Sequence, residues 1–216
     1  MLKVSRRSKQ WIVLLCLPFC LSALRGVAQV TATQRQLQRL DLAVNGTGEF
    51  TKSVQGTNYQ GVSLTQTVSN TLGALVTLRY TKSPLLGLEA NYGYARYNER
   101  FSRYIIGGAQ TNASEYTLGY VAHGPELFGL RSFGSIGAGS IAFRPTTAGG
   151  QGLPARARLA AYYAVGLEEP LFSSHFGVRA QFRQIFYKAP DFDQNYLTIN
   201  QRTFTTEPAV GFYLHF

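Results

Sequence analysis

The side chains able to carry out chemistry are few and poorly grouped for it. Histidine, the commonest general base near neutral pH, occurs three times, as His123, His175 and His215. The first two fall in or beside short, Pro-marked connections, and the third lies next to the C-terminus. Asp191, Asp193 and Asn195 make the D-x-D-x-N opening of a calcium loop. Tyr196, however, stands where Gly must make the sharp turn, and Arg202 stands where a bidentate Glu closes the shell. No EF-hand is expected, only weak cation binding by an acidic loop at most. Gly134, Gly137 and Gly139 resemble a phosphate cradle but lack the Lys and the following helix it needs. Asn45-Gly46-Thr47 and Asn112-Ala113-Ser114 are formal glycosylation sequons. The two thiols are Cys16 and Cys20.

Both thiols lie in a leader. Residues 1–10 carry Lys3, Arg6, Arg7 and Lys9, residues 11–24 form an uncharged apolar run, and Gly26-Val27-Ala28 supplies small residues. This is the order of a secretory signal peptide cleaved after Ala28. Ser8-Lys9-Gln10 does not continue a twin-arginine pattern, and Leu17-Pro18-Phe19 before Cys20 does not make a lipoprotein box. The chain after the leader has no cysteine, which excludes a disulfide, a zinc–thiolate site and a cysteine nucleophile.

Charge needs the same correction. The 216 residues hold 21 Lys+Arg and 11 Asp+Glu, a formal +10. Without Lys3, Arg6, Arg7, Lys9 and Arg25 the excess halves. The remaining Arg are scattered singly, which argues against a nucleic-acid groove. A hydrophobic fraction of 45 % excludes a disordered chain, and 22 Gly with 27 Tyr and Phe suggest a β protein. No run of 18 apolar residues follows the leader, so no membrane helix is expected.

The elements that must position these residues show themselves by period-two alternation. Leu40, Leu42 and Val44 alternate with Asp41 and Asn45; Leu72 to Tyr80 with Gly73, Thr77 and Arg79; Leu86 to Tyr94 with Glu89 and Asn91; Tyr116, Leu118 and Tyr120 with Glu115 and Thr117. Leu159 to Leu167 oppose Tyr162, Gly166 and Glu168; Phe176 to Phe182 oppose Arg179 and Arg183; Pro208 to Phe216 oppose Glu207, Gly211 and His215. An eighth segment, 130–143, is blurred by Gly; its bulky odd positions Phe133, Ile141 and Phe143 are expected to face outward. Short connections at 82–85, 123–129 and 169–174 interleave with long polar ones at 52–71, 98–113, 144–155 and 188–201. That rhythm puts every long loop on one rim of an up-and-down chain. Residues 29–39 are expected to be a flexible lead-in and 40–216 one domain.

One face of these segments is continuously apolar and the other carries Asp41, Glu49, Arg79, Glu89, Glu115, Arg179, Arg183 and Glu207. Charges on the inner face of a soluble sandwich would be costly. In a transmembrane barrel the apolar face meets lipid and the polar face lines the interior, and closure satisfies the backbone where no water can. The C-terminal Gly211-Phe212-Tyr213-Leu214-His215-Phe216 resembles the β-signal by which outer-membrane barrels are recognised for assembly, with Ala209 in place of the usual polar residue. Tyr187-Lys188-Ala189-Pro190-Asp191-Phe192 also resembles a segment of such barrels. With leader and eight segments, the chain resembles the small eight-stranded barrels of the OmpA/OmpX type found in Gram-negative bacteria, without a peptidoglycan-binding domain after the barrel.

The resemblance implies an all-β, eight-stranded antiparallel barrel in the outer membrane. It implies lipid around it, the barrel-assembly machinery as a partner through Gly211, Leu214 and Phe216, and a monomeric state. An interior just wide enough for side chains leads to two expected clusters, Asp41–Arg79–Glu89 and Arg183–Glu207, with Arg179 in the same network, plugging the lumen. Tyr80, Tyr92, Tyr94, Tyr116, Tyr120, Tyr163, Phe176 and Phe216 are expected to form interfacial girdles. Tyr59, Phe101, Tyr104, Ile105, Ile106, Phe192 and Tyr196 on the long loops are the expected contact residues for a partner the sequence does not name. No catalytic residue, metal or cofactor is assigned, and nucleic acid is not a partner. Lipid A deacylases of similar size use a His/Ser/Glu set near the outer leaflet, where this chain has no His. The alternatives are a narrow channel, a lipid-modifying enzyme, and a soluble lipocalin-like barrel, which needs the two faces reversed.

Overall fold

The computed structural model describes residues 32–57, 60–102, 108–173, 175–192 and 201–216. The expected leader, with its expected cleavage position after Ala28, lies outside them. In the unit formed by residues 1–38, Ala32–Leu37 is a six-residue helix, α1. The second unit, 39–216, consists of strands β1 (Leu40–Thr51), β2 (Val54–Thr57), β3 (Ser63–Val68), β4 (Thr71–Thr81), β5 (Leu86–Phe101), β6 (Ala109–Leu127), β7 (Leu130–Pro145), β8 (Arg156–Ser173), β9 (Phe176–Lys188) and β10 (Arg202–His215).

Eight of these strands close into an antiparallel barrel in the order β1-β4-β5-β6-β7-β8-β9-β10 and back to β1. The remaining two, β2 and β3, pair with each other, and β3 adds to β5 at Val68↔Glu99. They prolong the β1–β4 hairpin past the barrel wall. The register fixes the tilt. Stepping between partners from Phe50 through Thr206, Gln184, Tyr163, Ile136, Tyr120, Leu88 and Tyr80 returns to β1 at Leu40, ten residues from the start. A shear of that size over eight strands requires a tilt of about 40°, so each strand residue climbs about 2.5 Å along the axis.

At the β1–β10 seam the pairing is interrupted between Thr47↔Ala209 and Phe50↔Thr206, where Pro208 has no N–H to contribute. The β6–β7 turn is two residues long, with Phe128 at φ 56° and Gly129 at φ 82°, the mirror-image turn that matches strand twist.

Two expectations about the wall are corrected. In β7 the odd positions face inward: Phe133, Ile141 and Phe143 are buried, and Ile136 is exposed. Glycine hides which face is which: Gly137 takes an inward position where the β8 Tyr162 ring needs room, and Gly139 one crowded by Tyr116 and Thr117 of β6. The connections are also shorter than expected. Strand β6 runs to Leu127 through an irregularity between His123 and Glu126, and the 52–71 stretch holds β2 and β3. Polar composition marked these stretches as loops, whereas strands that rise beyond an apolar band can be polar on both faces.

Candidate functional site

The interior side chains stack in three layers. The lowest, nearest the short turns, is ionic. Arg79 on β4 donates to its neighbour Glu89 at 3.0 Å and across the lumen to Glu168 on β8 at 3.3 Å. Arg179 on β9 donates to Glu168 at 3.1 Å and to Asp41 on β1 at 2.9 Å. The Phe133 ring lies against both guanidinium groups, 4.4 Å from Arg79 and 5.5 Å from Arg179, and Tyr213 lies 5.1 Å from Arg179. Both arginines are fully buried. His123 borders this layer, with Nε2 3.7 Å from Glu168.

The middle layer is built on Arg183, which donates to Glu115 (Nη1 to Oε2, 2.8 Å), to Glu207 and to Thr117, and lies 4.3 Å over the Tyr162 ring. Thr47 donates to Glu49 at 2.6 Å at the same level. Tyr162 joins the two ionic layers: its hydroxyl donates to Glu89 at 2.8 Å and accepts from Asn91 at 3.0 Å. Room for that ring exists because Gly119 and Gly137 are glycines. A Cβ on either would fall on the Tyr162 side chain.

The top layer is apolar. Tyr97, Phe143 and Tyr187 pack ring to ring, at 6.4 and 5.5 Å, with Ile141 and Ile185 beneath and Val54, Phe101, Ala189 and Phe192 above. Between and above the layers, two small cavities among the described residues measure about 30 and 10 Å³, room for little more than a water molecule. Filling of this kind is what an eight-stranded wall dictates, because facing strands stand one or two side chains apart.

Near the roof, Glu99 is fully buried and accepts a 2.6 Å hydrogen bond from Gln66 on β3, whose amide also reaches the Pro190 carbonyl at 3.4 Å. The outer face of β5 carries exposed Arg96, Asn98 and Arg100 here, so Glu99 stands above the apolar band. Burial raises its carboxyl to about 8, against the lowering effect of Gln66. The folded chain therefore holds a proton that the unfolded chain releases near pH 4.5. Stability of the β2–β3 extension falls as pH rises from about 4.5 to about 8 and then levels off. Limited proteolysis across this range should cut the extension faster at the alkaline end, and Glu99→Gln should flatten the profile. An unchanged slope in Glu99→Gln would assign the effect to another group.

The pairing differs from the sequence-based grouping. Asp41 and Arg79 are direct partners across β1–β4, but Asp41 bonds Arg179. Glu168, outside the expected clusters, is the hub of the lower layer, and Glu115 shares Arg183 with Glu207. Depth along a strand can be counted from sequence, but an arginine reaches across a narrow lumen as readily as along the wall. The alternation itself was the signal for Glu168 and Glu115. Phe101 and Phe192, expected as loop contacts, are buried beneath the roof because the top layer needs an apolar cover. Tyr59, Asp193, Asn195, Tyr104, Ile105, Ile106 and Tyr196 lie outside the described residues. Asp191 is held by Arg158 at 2.6 Å.

The outer wall is apolar and aromatic. Tyr92, Tyr94, Tyr116, Tyr120, Tyr163, Phe176 and Phe216 are exposed, and Tyr80 is half-buried on the same face. Tyr92–Tyr116, Tyr163–Phe186 and Phe186–Phe204 make ring contacts toward the long-loop rim, and Phe176–Phe212 stack near the other. Tyr120 sits between Leu88 and Ile136, away from both groups. Leu214 and Phe216 point outward, and Gly211 lies against the Val44 carbonyl and Asn45 backbone at the closing seam. His123, His175 and His215 lie at the short-turn end; the His215 N–H donates to the His175 carbonyl at 2.7 Å.

Similarity to known proteins is structural. The fold matches Neisserial surface protein A (TM-score 0.54, 9% identity, covering 82% of this chain and 97% of that one). It matches the outer membrane protein OprG from Pseudomonas aeruginosa (0.59, 11%, 82% and 95%), and the outer membrane protein AlkL solved in DMPC lipid bilayers (0.53, 14%, 82% and 89%). No family model matches the chain, and no curated protein matches it in sequence. The chain has the fold of the small eight-stranded outer-membrane barrels.

Proposed function

We propose that this chain is an exported, monomeric, integral outer-membrane barrel whose role is structural or one of surface interaction, exercised through its long loops rather than by catalysis or conduction. The observation that carries the reading is the inversion of the wall. Leu72, Leu118, Leu159, Ile136 and Val210 are exposed, while Arg79, Arg179 and Arg183 are buried. In water that arrangement is unfavourable on both faces; in a bilayer it is favourable on both. The similarity of fold to outer-membrane proteins supports the same location. On this reading residues 1–28 are a signal peptide, 29–39 a lead-in and 40–216 the membrane domain, with Gly211, Leu214 and Phe216 presented to the assembly machinery. Both ends of the barrel domain would then lie on the periplasmic side.

The three interior layers support a plugged lumen. The ion pairs offset one another's desolvation, although a buried pair adds little net stability over an apolar filling. Two measurements test the proposal. Expressed in a Gram-negative host, the protein should fractionate with the outer membrane and migrate faster on a gel unboiled than boiled; recovery as soluble periplasmic protein without a band shift would overturn it. In planar bilayers the folded barrel should show no large, steady openings; such openings would favour a channel.

A further inference from the structure

The outer face just above the upper aromatic group is basic and holds no acid among the described residues. Exposed Lys52, Lys188 and Arg202 cluster on one side of the barrel, where Arg202 and Lys188 are direct strand partners and the Lys52 N–H donates to the Phe204 carbonyl. Exposed Arg96, Arg100 and Arg144 cluster on the other, with Arg96 and Arg144 both opposite Asn112. With the shear and tilt above, all six lie within about 10 Å of one level, directly over Phe50, Phe186, Phe204 and Tyr94. The Lys52 ammonium lies 5.5 Å over the Phe204 ring. Glu99, at this level on β5, faces the interior and is fully buried, and Asp191 is bonded to Arg158. The opposite rim is mixed: exposed Lys82 and Arg131 share it with exposed Glu126, the strand partner of Arg131.

We infer that these two basic clusters bind the phosphate groups of anionic lipids in the leaflet on the long-loop side. The inference rests on the membrane reading and deepens it. A lipid whose acyl chains lie against the aromatic wall places its phosphate where the guanidinium groups stand. Arginine forks match phosphate oxygens bidentately. Basic groups beside an anionic bilayer surface contribute about fivefold in affinity each. A girdle that served only to meet water would carry both signs, as the other rim does.

The test uses the full chain, folded in phosphatidylcholine vesicles, solubilised in neutral detergent and titrated with diphosphoryl lipid A as the probe. Wild-type protein should bind it, less tightly as salt rises, and should bind the dephosphorylated lipid at least about tenfold more weakly, consistent with several such contacts. The variant Lys52→Gln/Arg96→Gln/Arg100→Gln/Arg144→Gln/Arg202→Gln should lose the preference for phosphate, while Lys82→Gln/Arg131→Gln at the other rim keeps it. Equal binding of both lipids by wild-type protein, or an unchanged preference in the fivefold variant, overturns the inference. If that variant does not give the heat-modifiable band, the lipid and salt arms on wild-type protein decide alone. A wild-type chain that never enters vesicles overturns the membrane reading itself; one that enters without preferring phosphate overturns only this inference.

Discussion

Replacing Arg183 by Met should destabilise the folded barrel by about 3–5 kcal/mol, the cost of leaving buried carboxylates without their counter-charge. Arg183 bonds both Glu115 and Glu207, and Glu49 stands at the same level on β1. Methionine keeps the volume and packing against Tyr162, so the loss measures charge rather than a cavity. Adding Glu115→Gln and Glu207→Gln to Arg183→Met should restore most of the stability, because neutral amides do not need the guanidinium. The measurement is the urea midpoint of protein folded in vesicles. Far-UV circular dichroism is the suitable signal, since the sole tryptophan, Trp11, lies in the expected leader. A midpoint unchanged in Arg183→Met would mean that the middle layer contributes nothing to stability.

The second large effect is expected at Gly137. A side chain there meets the Leu118 carbonyl on the neighbouring strand and the Tyr162 ring inside the lumen. One obstacle is backbone and cannot yield without opening β6 from β7. The other can move only by breaking the Tyr162–Glu89 and Asn91–Tyr162 hydrogen bonds. Gly137→Leu should therefore cost more than the roughly 1–3 kcal/mol of ordinary overpacking and should reduce or abolish the heat-modifiable band. Gly137→Leu combined with Tyr162→Ala separates the two obstacles. Recovery in the double variant would place the strain in the ring, and none would place it in the wall. A normal band shift for Gly137→Leu alone would show that the interior has slack the packing does not suggest.

The barrel was legible because its strands obey a period of two and invert the usual sides, with apolar side chains outward and charged ones inward. Asp41, Arg79, Glu89, Arg183 and Glu207 all fall on one face of their segments, and in the structure all are buried. The same rule failed in β7, where glycine carries no hydropathy signal and the sign of the face was lost. It also failed to separate loop from strand near the long-loop rim, where β2 and β3 were read as a polar connection. Phe101 and Phe192 were misjudged for a related reason: an aromatic in a polar stretch can be a contact surface or a lid, and only the cavity beneath it decides.

What the sequence determined by itself is the alternation, the number of strands in the barrel wall and the segregation of charge from hydrocarbon, because each is local and repeats along the chain. What the tertiary structure decided is which charges meet. The shear of ten residues and the narrow lumen set Asp41 against Arg179 and Arg79 against Glu168, strands apart in sequence and a side chain apart in space. Closure, not local preference, brings those groups together, and no count along a single strand contains it.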